Sequence, residues 1–284
     1  MDVSFCGPNR ASNAFFPEPW PFSSLPADVM TENVLAVNIG NSTTSVGLVD
    51  KANLQCRLHS ELASSGVETG LADAVASVMS GGQQNGVPAA RVSCVVPSLR
   101  PAVSRILSAA GSDPLWVEAR EGLAVRFDYE DPATLGADRI ANCLYARAAV
   151  AGSDVIVIDA GTAITVDGVT REGVFAGGVI LPGMALQIAS LNTGAALLPR
   201  ITAGSHTPVF PGMSTVDCIR SGVVLGLGDA VHGLVSRFGD AFGAPPVVLA
   251  CGGSWPQLAR LARIDHTHIP DLTLVGTALF DTVS

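Results

Sequence analysis

The 284-residue chain contains a single lysine, Lys51, and only 14% charged residues, which excludes several classes of protein. Its 16 Lys and Arg residues are outnumbered by 25 Asp and Glu residues, so the formal net charge is −9. Because that charge repels nucleic acid and anionic lipid, we expect neither nucleic acid nor a membrane as a partner. Lys51 lies in neither a GKS/GKT nor a VAIK sequence. P-loop NTPases and protein kinases need a phosphate-binding lysine in those settings, so both classes are excluded.

The chain also lacks the features of secretion and of membrane insertion. Its six cysteines are scattered without a CxxC pair, which argues against a disulfide framework. No basic start followed by an apolar segment is visible, and the apolar runs are shorter than the roughly 18 residues of a membrane span. Hydrophobic residues make up 48% of the chain, enough to bury a core. We therefore expect a folded, cytoplasmic protein with reduced cysteines.

Regular hydrophobic spacing begins at Asn33, after a stretch rich in Pro, Ser and Phe. Residues 1–32 are predicted to form a flexible leader. Apolar runs predict strands over 34–37, 44–49, 91–96, 115–117, 154–159, 163–169, 177–180 and 246–250. Helical spacing predicts helices over 69–81, 100–110, 137–151, 186–198, 217–238 and 255–262. This α/β order is divided into an N-terminal domain over 33–150 and a C-terminal domain over 151–284.

A strand, a glycine turn and a second strand occur twice, beginning at Val34 and at Val155. The turns read Asn38-Ile39-Gly40-Asn41-Ser42 and Asp159-Ala160-Gly161-Thr162-Ala163. A glycine turn lets backbone N–H groups approach a phosphate, a following hydroxyl donates a hydrogen bond, and a carboxylate can hold a cation. The repeat predicts two similar halves facing each other across a phosphate-binding cleft. Two unrelated β-hairpins would give the same pattern, so both interpretations stay open from the repeat alone.

Five short motifs, in the same order along the chain, resemble those of one family. They are the DxGNT-like Asn38–Ser42, the Y…GADR-like Tyr129 with Asp131–Arg139, the DxGTA-like Asp159–Ala163, the GGxIxPG-like 177–183 and the GxxT…I..G-like 212–222. Together they resemble the type III pantothenate kinase family, which includes the Bvg accessory factor branch. The resemblance covers the chain from about residue 34 to residue 279.

The resemblance implies an actin-like (ASKHA) α/β fold of two ribonuclease-H-like domains across a cleft, and a homodimer. It implies ATP-dependent phosphorylation of the small molecule pantothenate, the first step of coenzyme A synthesis, with Mg²⁺ and a monovalent cation, K⁺ or NH₄⁺. Carried over by position, Asp138 is the general base and Asp159 holds the monovalent cation. The family's pantothenate-binding residues correspond to Tyr129, Gly136, Ala137, Arg139 and Thr215. Its ATP-binding residues correspond to Asn38, Gly40, Asn41, Ser42, Thr43 and Thr162.

Three positions depart from the family pattern, and we expect all three on the ATP side of the site. Asn38 replaces the first aspartate, which keeps the shape but loses a negative charge and a strong metal ligand. Ile164 replaces a threonine, and Ala250-Cys251-Gly252-Gly253 stands where TGG is expected. The motifs on the substrate side match the family.

These observations leave three hypotheses. The intact GADR motif favours an enzyme, with a pantothenate kinase that tolerates Asn38 as the leading form. A second enzyme hypothesis is a phosphotransferase that acts on another small hydroxyl compound. The third, favoured by Asn38, is a pseudokinase that binds a pantothenate-like ligand or a partner protein, a regulatory role for which the Bvg accessory factor branch gives precedent.

Overall fold

Two five-stranded sheets form the body of the protein. The computed structural model describes residues 33–81, 88–195, 197–202 and 207–280, and the predicted leader over 1–32 lies outside them. The first sheet has the order β3-β2-β1-β4-β5 and consists of β1 (Asn33–Ile39), β2 (Thr43–Asp50), β3 (Gln55–Ala63), β4 (Ala90–Cys94) and β5 (Pro114–Trp116). Helices α1 (Val67–Gly81) and α2 (Arg100–Ala109) share a hydrophobic core with this sheet.

The second sheet repeats that topology. Its order is β10-β9-β6-β7-β8, and it consists of β6 (Val155–Ala160), β7 (Ala163–Val169), β8 (Phe175–Pro182), β9 (Val247–Cys251) and β10 (Thr267–His268). A second core forms between this sheet and α4 (Met184–Gly194), α5 (Thr215–Phe242) and α6 (Trp255–Ala262). In each sheet the first three strands are antiparallel, and the last two run parallel to the first. This ribonuclease-H-like order, present twice, confirms the predicted actin-like fold.

Two helices lie between the sheets and join them. α3 (Ala137–Ala149) and α7 (Leu272–Ala278) belong to a core that also holds residues of β1 and β6. They touch closely at Gly276, where an added Cβ would lie 2.0 Å from the carbonyl oxygen of Ala141. Because α7 follows the second sheet but contacts β1, the chain returns to the first half at its end. The domain boundary between 150 and 151 stays a prediction.

The predicted elements differ from the structure in several places, and β10 and α7 are absent from the prediction. β3 is absent from the prediction, because its residues alternate between exposed and half-buried and give a weak hydrophobic signal. α4 ends at Gly194 rather than at residue 198. α5 is longer than predicted at both ends, because Ser214 Oγ accepts a hydrogen bond from the Asp217 backbone N–H and Gly243 adopts a left-handed conformation after the last turn.

α5 is long and apolar enough to cross a membrane by length and composition alone. In the structure, however, its residues Val223, Leu227 and Val231 are buried in the core of the second sheet, together with Trp255 and Leu258 of α6. Core packing therefore accounts for this apolar face. The expectation that the protein has no membrane partner stays a prediction.

Candidate active site

The two glycine turns have the same local structure and meet in space. In the first, the Gly40 N–H donates to the Thr43 carbonyl at 3.0 Å, and in the second the Gly161 N–H donates to the Ala163 carbonyl at 2.9 Å. The hydroxyl oxygens of Ser42 and Thr162, 120 residues apart in sequence, lie 2.8 Å from each other. The internal repeat is thus a structural repeat, and its two turns face each other.

A cleft of about 610 Å³ opens between the two halves, and both turns line it. Eight predicted site residues line this cleft: Asn38, Gly40, Asn41, Ser42, Thr43, Asp138, Asp159 and Thr162. The structure therefore brings together the residues predicted as ATP ligands, general base and cation ligand. The predicted pantothenate-binding residues are not among the described residues that line it; these are Tyr129, Gly136, Ala137, Arg139 and Thr215.

Asp138 lies in the first turn of α3 and faces the cleft. Its Oδ1 accepts a hydrogen bond of 2.7 Å from the Arg139 backbone N–H. Burial raises the pKa of the Asp138 carboxyl above its ordinary value, against the lowering effect of that hydrogen bond. An added Cβ at Gly136 would lie 2.6 Å from Asp138 Oδ1, so the glycine at this position leaves room for the carboxylate.

Asp159 ends β6 on the other side of the cleft and has a second carboxylate for a neighbour. Burial, and then the negative charge of Asp138, raise the pKa of Asp159 to about 6. The Asn142 side chain donates to Asp159 Oδ2 over a long 3.4 Å and acts in the opposite direction. A bound cation would favour the charged form of Asp159, so this carboxylate is a suitable ligand for one.

Arg139 makes a buried ion pair with Asp167 of β7. Its Nε lies 3.0 and 3.1 Å from the two carboxylate oxygens, and its Nη2 lies 2.5 Å from Oδ1. Burial opposes the charge on the guanidinium, but the hydrogen bonds and the charge of Asp167 outweigh it and raise the pKa of Arg139. An added Cβ at Gly178 would lie 1.9 Å from Asp167 Oδ1, which explains the glycine there. Asp167 therefore fixes the position of the Arg139 side chain.

Tyr129 contacts Arg139, whereas Thr215 lies in another element, at the start of α5. The Tyr129 ring packs against Phe175, with 5.9 Å between centroids, and its hydroxyl interacts with Arg139. Thr215 begins α5, directly after the exposed residues Phe210 and Met213.

Two of the three departures from the family pattern lie at the cleft, because Asn38 lines it and so do Gly252 and Gly253 of the third one. The expectation that all three share the ATP side stays a prediction. Ile164 and Ala250 are buried in the core of the second sheet. Cys251 is also buried, 3.7 Å from the Thr273 hydroxyl, and burial together with the Asp159 charge holds the pKa of its thiol well above the ordinary value. Asn38 lines the cleft, and its Oδ1 is buried without a hydrogen-bond partner among the described residues.

Sequence reasoning missed four residues of this region. Asn142 is four residues after Asp138, a helical spacing that could have placed both on one face of α3. Asp167 lies in β7, and nothing in the sequence of this strand indicated that its side chain is buried. His59 and Glu61 belong to β3, and the period-two alternation of polar residues from Gln55 to Ala63 was the available signal.

The cleft is strongly acidic. The carboxylates Glu61, Asp138, Asp159 and Asp271 line it, and no lysine or arginine of the described residues does. His59 Nδ1 lies 3.3 Å from Asp271 Oδ1. Within residues 33–81, 88–195, 197–202 and 207–280, no group of three or more His, Cys, Asp or Glu residues is arranged to hold a metal ion. A polyphosphate bound here would therefore need cations that it brings with it.

Comparison with solved structures supports the fold. The chain resembles a Baf family transcriptional activator from Campylobacter jejuni, with a TM-score of 0.53 and 21% identity over 85% of this chain and 94% of that one. It also resembles the ethanolamine utilization protein EutJ from Carboxydothermus hydrogenoformans, with a TM-score of 0.54 and 16% identity over 90% of this chain and 91% of that one. At these identities the likeness shows the fold alone.

Sequence comparison shows the family. The family model for type III pantothenate kinase matches residues 34–237. A type III pantothenate kinase of Desulfatibacillum aliphaticivorans is 33% identical over 262 residues, which cover 88% of this chain and 99% of the relative. Another, from Acidiphilium cryptum (strain JF-5), is 40% identical over 196 residues, which cover 68% of this chain and 73% of the relative. This chain belongs to the type III pantothenate kinase family.

Proposed function

We propose that this protein transfers the terminal phosphoryl group of ATP to a hydroxyl group of pantothenate, the first step of coenzyme A synthesis. The observation that carries the proposal is the position of Asp138. Its carboxylate lines the same cleft as the two glycine turns that meet at Ser42 and Thr162. Membership of the type III pantothenate kinase family supports ATP as the donor and a small molecule as the acceptor.

Asp138 acts as the general base in this proposal. Phosphoryl transfer depends chiefly on positioning and on charge neutralisation, so one carboxylate near the attacking hydroxyl is sufficient protein chemistry. The raised pKa of Asp138 improves it as a proton acceptor from an alcohol. The hydrogen bond from the Arg139 backbone N–H orients the carboxylate at the start of α3.

Mg²⁺ and a monovalent cation fit the donor groups of the cleft. Asp159 offers a carboxylate, and Asn38 offers a buried amide oxygen without a protein partner; both are hard oxygen ligands. When bound, these cations would neutralise the phosphate charge that the acidic walls would otherwise repel. The protein itself contributes the backbone of the turns at Gly40 and Gly161, which allows close approach of the phosphates.

Pantothenate is proposed to bind beside Arg139. Asp167 holds this guanidinium by its Nε and Nη2, and its positive charge would attract the substrate carboxylate. Tyr129 lies next to it, and Gly136 and Ala137 form the start of the helix that carries Asp138. Thr215 is the last of the residues that we propose to bind pantothenate.

A homodimer is proposed through exposed apolar side chains of the second half. They are Ile180, Leu186, Leu197, Val209, Phe210 and Met213. They come from β8, α4 and the segment before α5, and burial against a second copy would remove them from water.

Asn38 supports a second candidate function, that of a divergent homologue. Such a homologue either binds its ligand without kinase activity or phosphorylates another hydroxyl compound. The amide in place of a carboxylate removes one negative metal ligand from the cleft. Nucleotide binding would survive this change more readily than phosphoryl transfer, which needs the metal at a defined place.

The test is ADP release from ATP with Mg²⁺, K⁺ and pantothenate, measured on the wild type and Asn38→Asp in parallel. Turnover by the wild type that requires pantothenate supports the proposed function. A silent wild type with an active Asn38→Asp variant supports the second candidate. Silence in both, with correctly folded protein, overturns the kinase proposal.

Asp138→Asn tests the role of the base within that assay. We expect a loss of turnover of about 10²–10⁴-fold, because the amide cannot accept the proton, while ADP binding changes little. Asp73→Asn, an exposed substitution on α1, is the matched control and should keep full activity. Unchanged turnover of Asp138→Asn would remove Asp138 as the base.

A further inference from the structure

We propose that Glu61 supplies, from β3, the metal-binding carboxylate that Asn38 does not supply from β1. The inference rests on the proposed function, because the metal is the divalent cation that accompanies a bound nucleotide. It concerns a glutamate that none of the five family motifs contains.

Strand register places the two residues in one row. Asn38 of β1 pairs with Ser45 of β2, and Ser45 pairs with Glu61 of β3. Residues directly opposite each other in antiparallel strands project to the same face of the sheet, and all three line the cleft. At a strand spacing of about 4.8 Å, the Cα atoms of Asn38 and Glu61 are about 10 Å apart. The longer side chain of a glutamate, compared with an aspartate, reduces that gap.

The other carboxylates of the cleft have different surroundings. Asp138 is oriented by the Arg139 backbone N–H, and Asp159 interacts with Asn142 from the second half of the molecule. Asp271 lies 3.3 Å from His59. Glu61 makes no hydrogen bond or ion pair with a residue that the structure describes, so its charge is available to a ligand.

Asn38 provides the second observation. Its Oδ1 is buried and has no hydrogen-bond partner in the part of the chain that the structure describes, although an amide oxygen in such a place ordinarily accepts one. A hard cation between this neutral oxygen and the Glu61 carboxylate would satisfy the amide and place one negative charge on the first half of the cleft. Each glycine turn then has a carboxylate beside it. For the second turn this is Asp159 of the same strand, and for the first turn it is Glu61 of a neighbouring strand.

Titration calorimetry of ADP with and without Mg²⁺ tests the inference without relying on turnover. The quantity of interest is the factor by which Mg²⁺ tightens ADP binding. We expect Glu61→Gln to reduce this factor about tenfold, within the range for residues that support a metal site. ADP affinity without Mg²⁺ should stay the same or increase, because one repulsive charge is lost. Glu68→Gln, an exposed glutamate of α1, is the matched control.

A double variant separates metal placement from a general change in charge. Asn38→Asp should restore the Mg²⁺ factor in the Glu61→Gln background. An unchanged factor in Glu61→Gln, or no restoration by Asn38→Asp, overturns the role of Glu61 while nucleotide binding stands. If the wild type binds no ADP under any of these conditions, the proposed function and the role of Glu61 both fail.

Discussion

The two glycine turns of this protein share a backbone and differ in charge. Asn38 and Asp159 occupy equivalent places near the end of the first strand of each sheet, beside β4 and β9 respectively. Each turn closes with a short hydrogen bond from its glycine N–H. Yet one residue is a neutral amide with an unsatisfied oxygen, and the other is a carboxylate with another carboxylate nearby. Repetition of the fold has preserved the backbone geometry of the turn, while single side chains set the electrostatics.

The difference matters because a charge in a buried cleft lowers the free energy of unfolding unless it is neutralised. Asp159 retains its negative charge near neutral pH only at a free-energy cost, which its pKa of about 6 expresses. Asn38 carries no such cost. We therefore expect the second turn to depend more strongly on a bound cation than the first.

The largest expected effect is that of Asp159→Asn, which gives the second turn the same amide that Asn38 gives the first. Loss of one carboxylate–cation contact should weaken K⁺-dependent ADP binding by about 1–4 kcal/mol, the range of a unit charge pair at 4 Å between bulk water and a protein surface. Calorimetry in K⁺ and in a large organic cation gives the K⁺-dependent part. Asp73→Asn serves as the control, and an unaltered K⁺ dependence in Asp159→Asn would exclude Asp159 as the ligand.

Asp159, unlike Asn38, should make the free energy of unfolding depend on pH, by about 3 kcal/mol over the whole range between its two pKa values. Folded Asp159 keeps its proton up to about pH 6, whereas the unfolded chain releases it near 3.8. Between these values the folded state binds more protons, so stability falls as pH rises, and about two pKa units correspond to about 3 kcal/mol. In cation-free buffer, the difference in unfolding free energy between Asp159→Asn and wild type should be larger at pH 7.5 than at pH 5. An equal difference at both pH values would contradict the raised pKa.

Asn38→Asp should place a destabilising carboxylate at the first turn as well, with a smaller effect on the free energy of unfolding. A new carboxylate at a buried oxygen without a partner should lower the free energy of unfolding at pH 7.5 by about 1–2 kcal/mol in cation-free buffer. Mg²⁺ with ADP should reverse the loss. Urea denaturation of Asn38→Asp and wild type, each with and without MgADP, measures both quantities. A variant as stable as the wild type without Mg²⁺ would show that the site is better hydrated than its burial suggests.

The comparison also shows how far the sequence leads. The glycine turns, the helix that carries Asp138 and the repeat of two α/β halves were all visible, because glycine, capping positions and buried strands leave strong local patterns. The placement of Ile164 and Ala250 in a core was not visible, since adjacent strand residues face opposite sides and the motif alone does not reveal which side is the cleft.

Contacts between distant segments were the other gap. The ion pair of Arg139 with Asp167 and the row from Asn38 to Glu61 depend on strand register and on where α3 lies between the sheets. A polar, half-exposed strand such as β3 gives little hydrophobic signal, so Glu61 could not be assigned to the cleft before the register was known. Register is set by pairing across the sheet, which no single segment encodes.

The smallest effect concerns the contact between the turns themselves. The Ser42 and Thr162 hydroxyls lie 2.8 Å apart and are exposed, so Ser42→Ala and Thr162→Ala should each lower the free energy of unfolding by about 1 kcal/mol or less. The double variant should lose less than the sum, because the second substitution removes a contact already broken. Thr69→Ala combined with Ser42→Ala is the control pair and should be additive, since Thr69 bonds only within its own turn. Additivity of Ser42→Ala with Thr162→Ala would mean that the turns are held by α3 and α7 alone, and that their hydroxyls are free to bind the phosphates of a ligand.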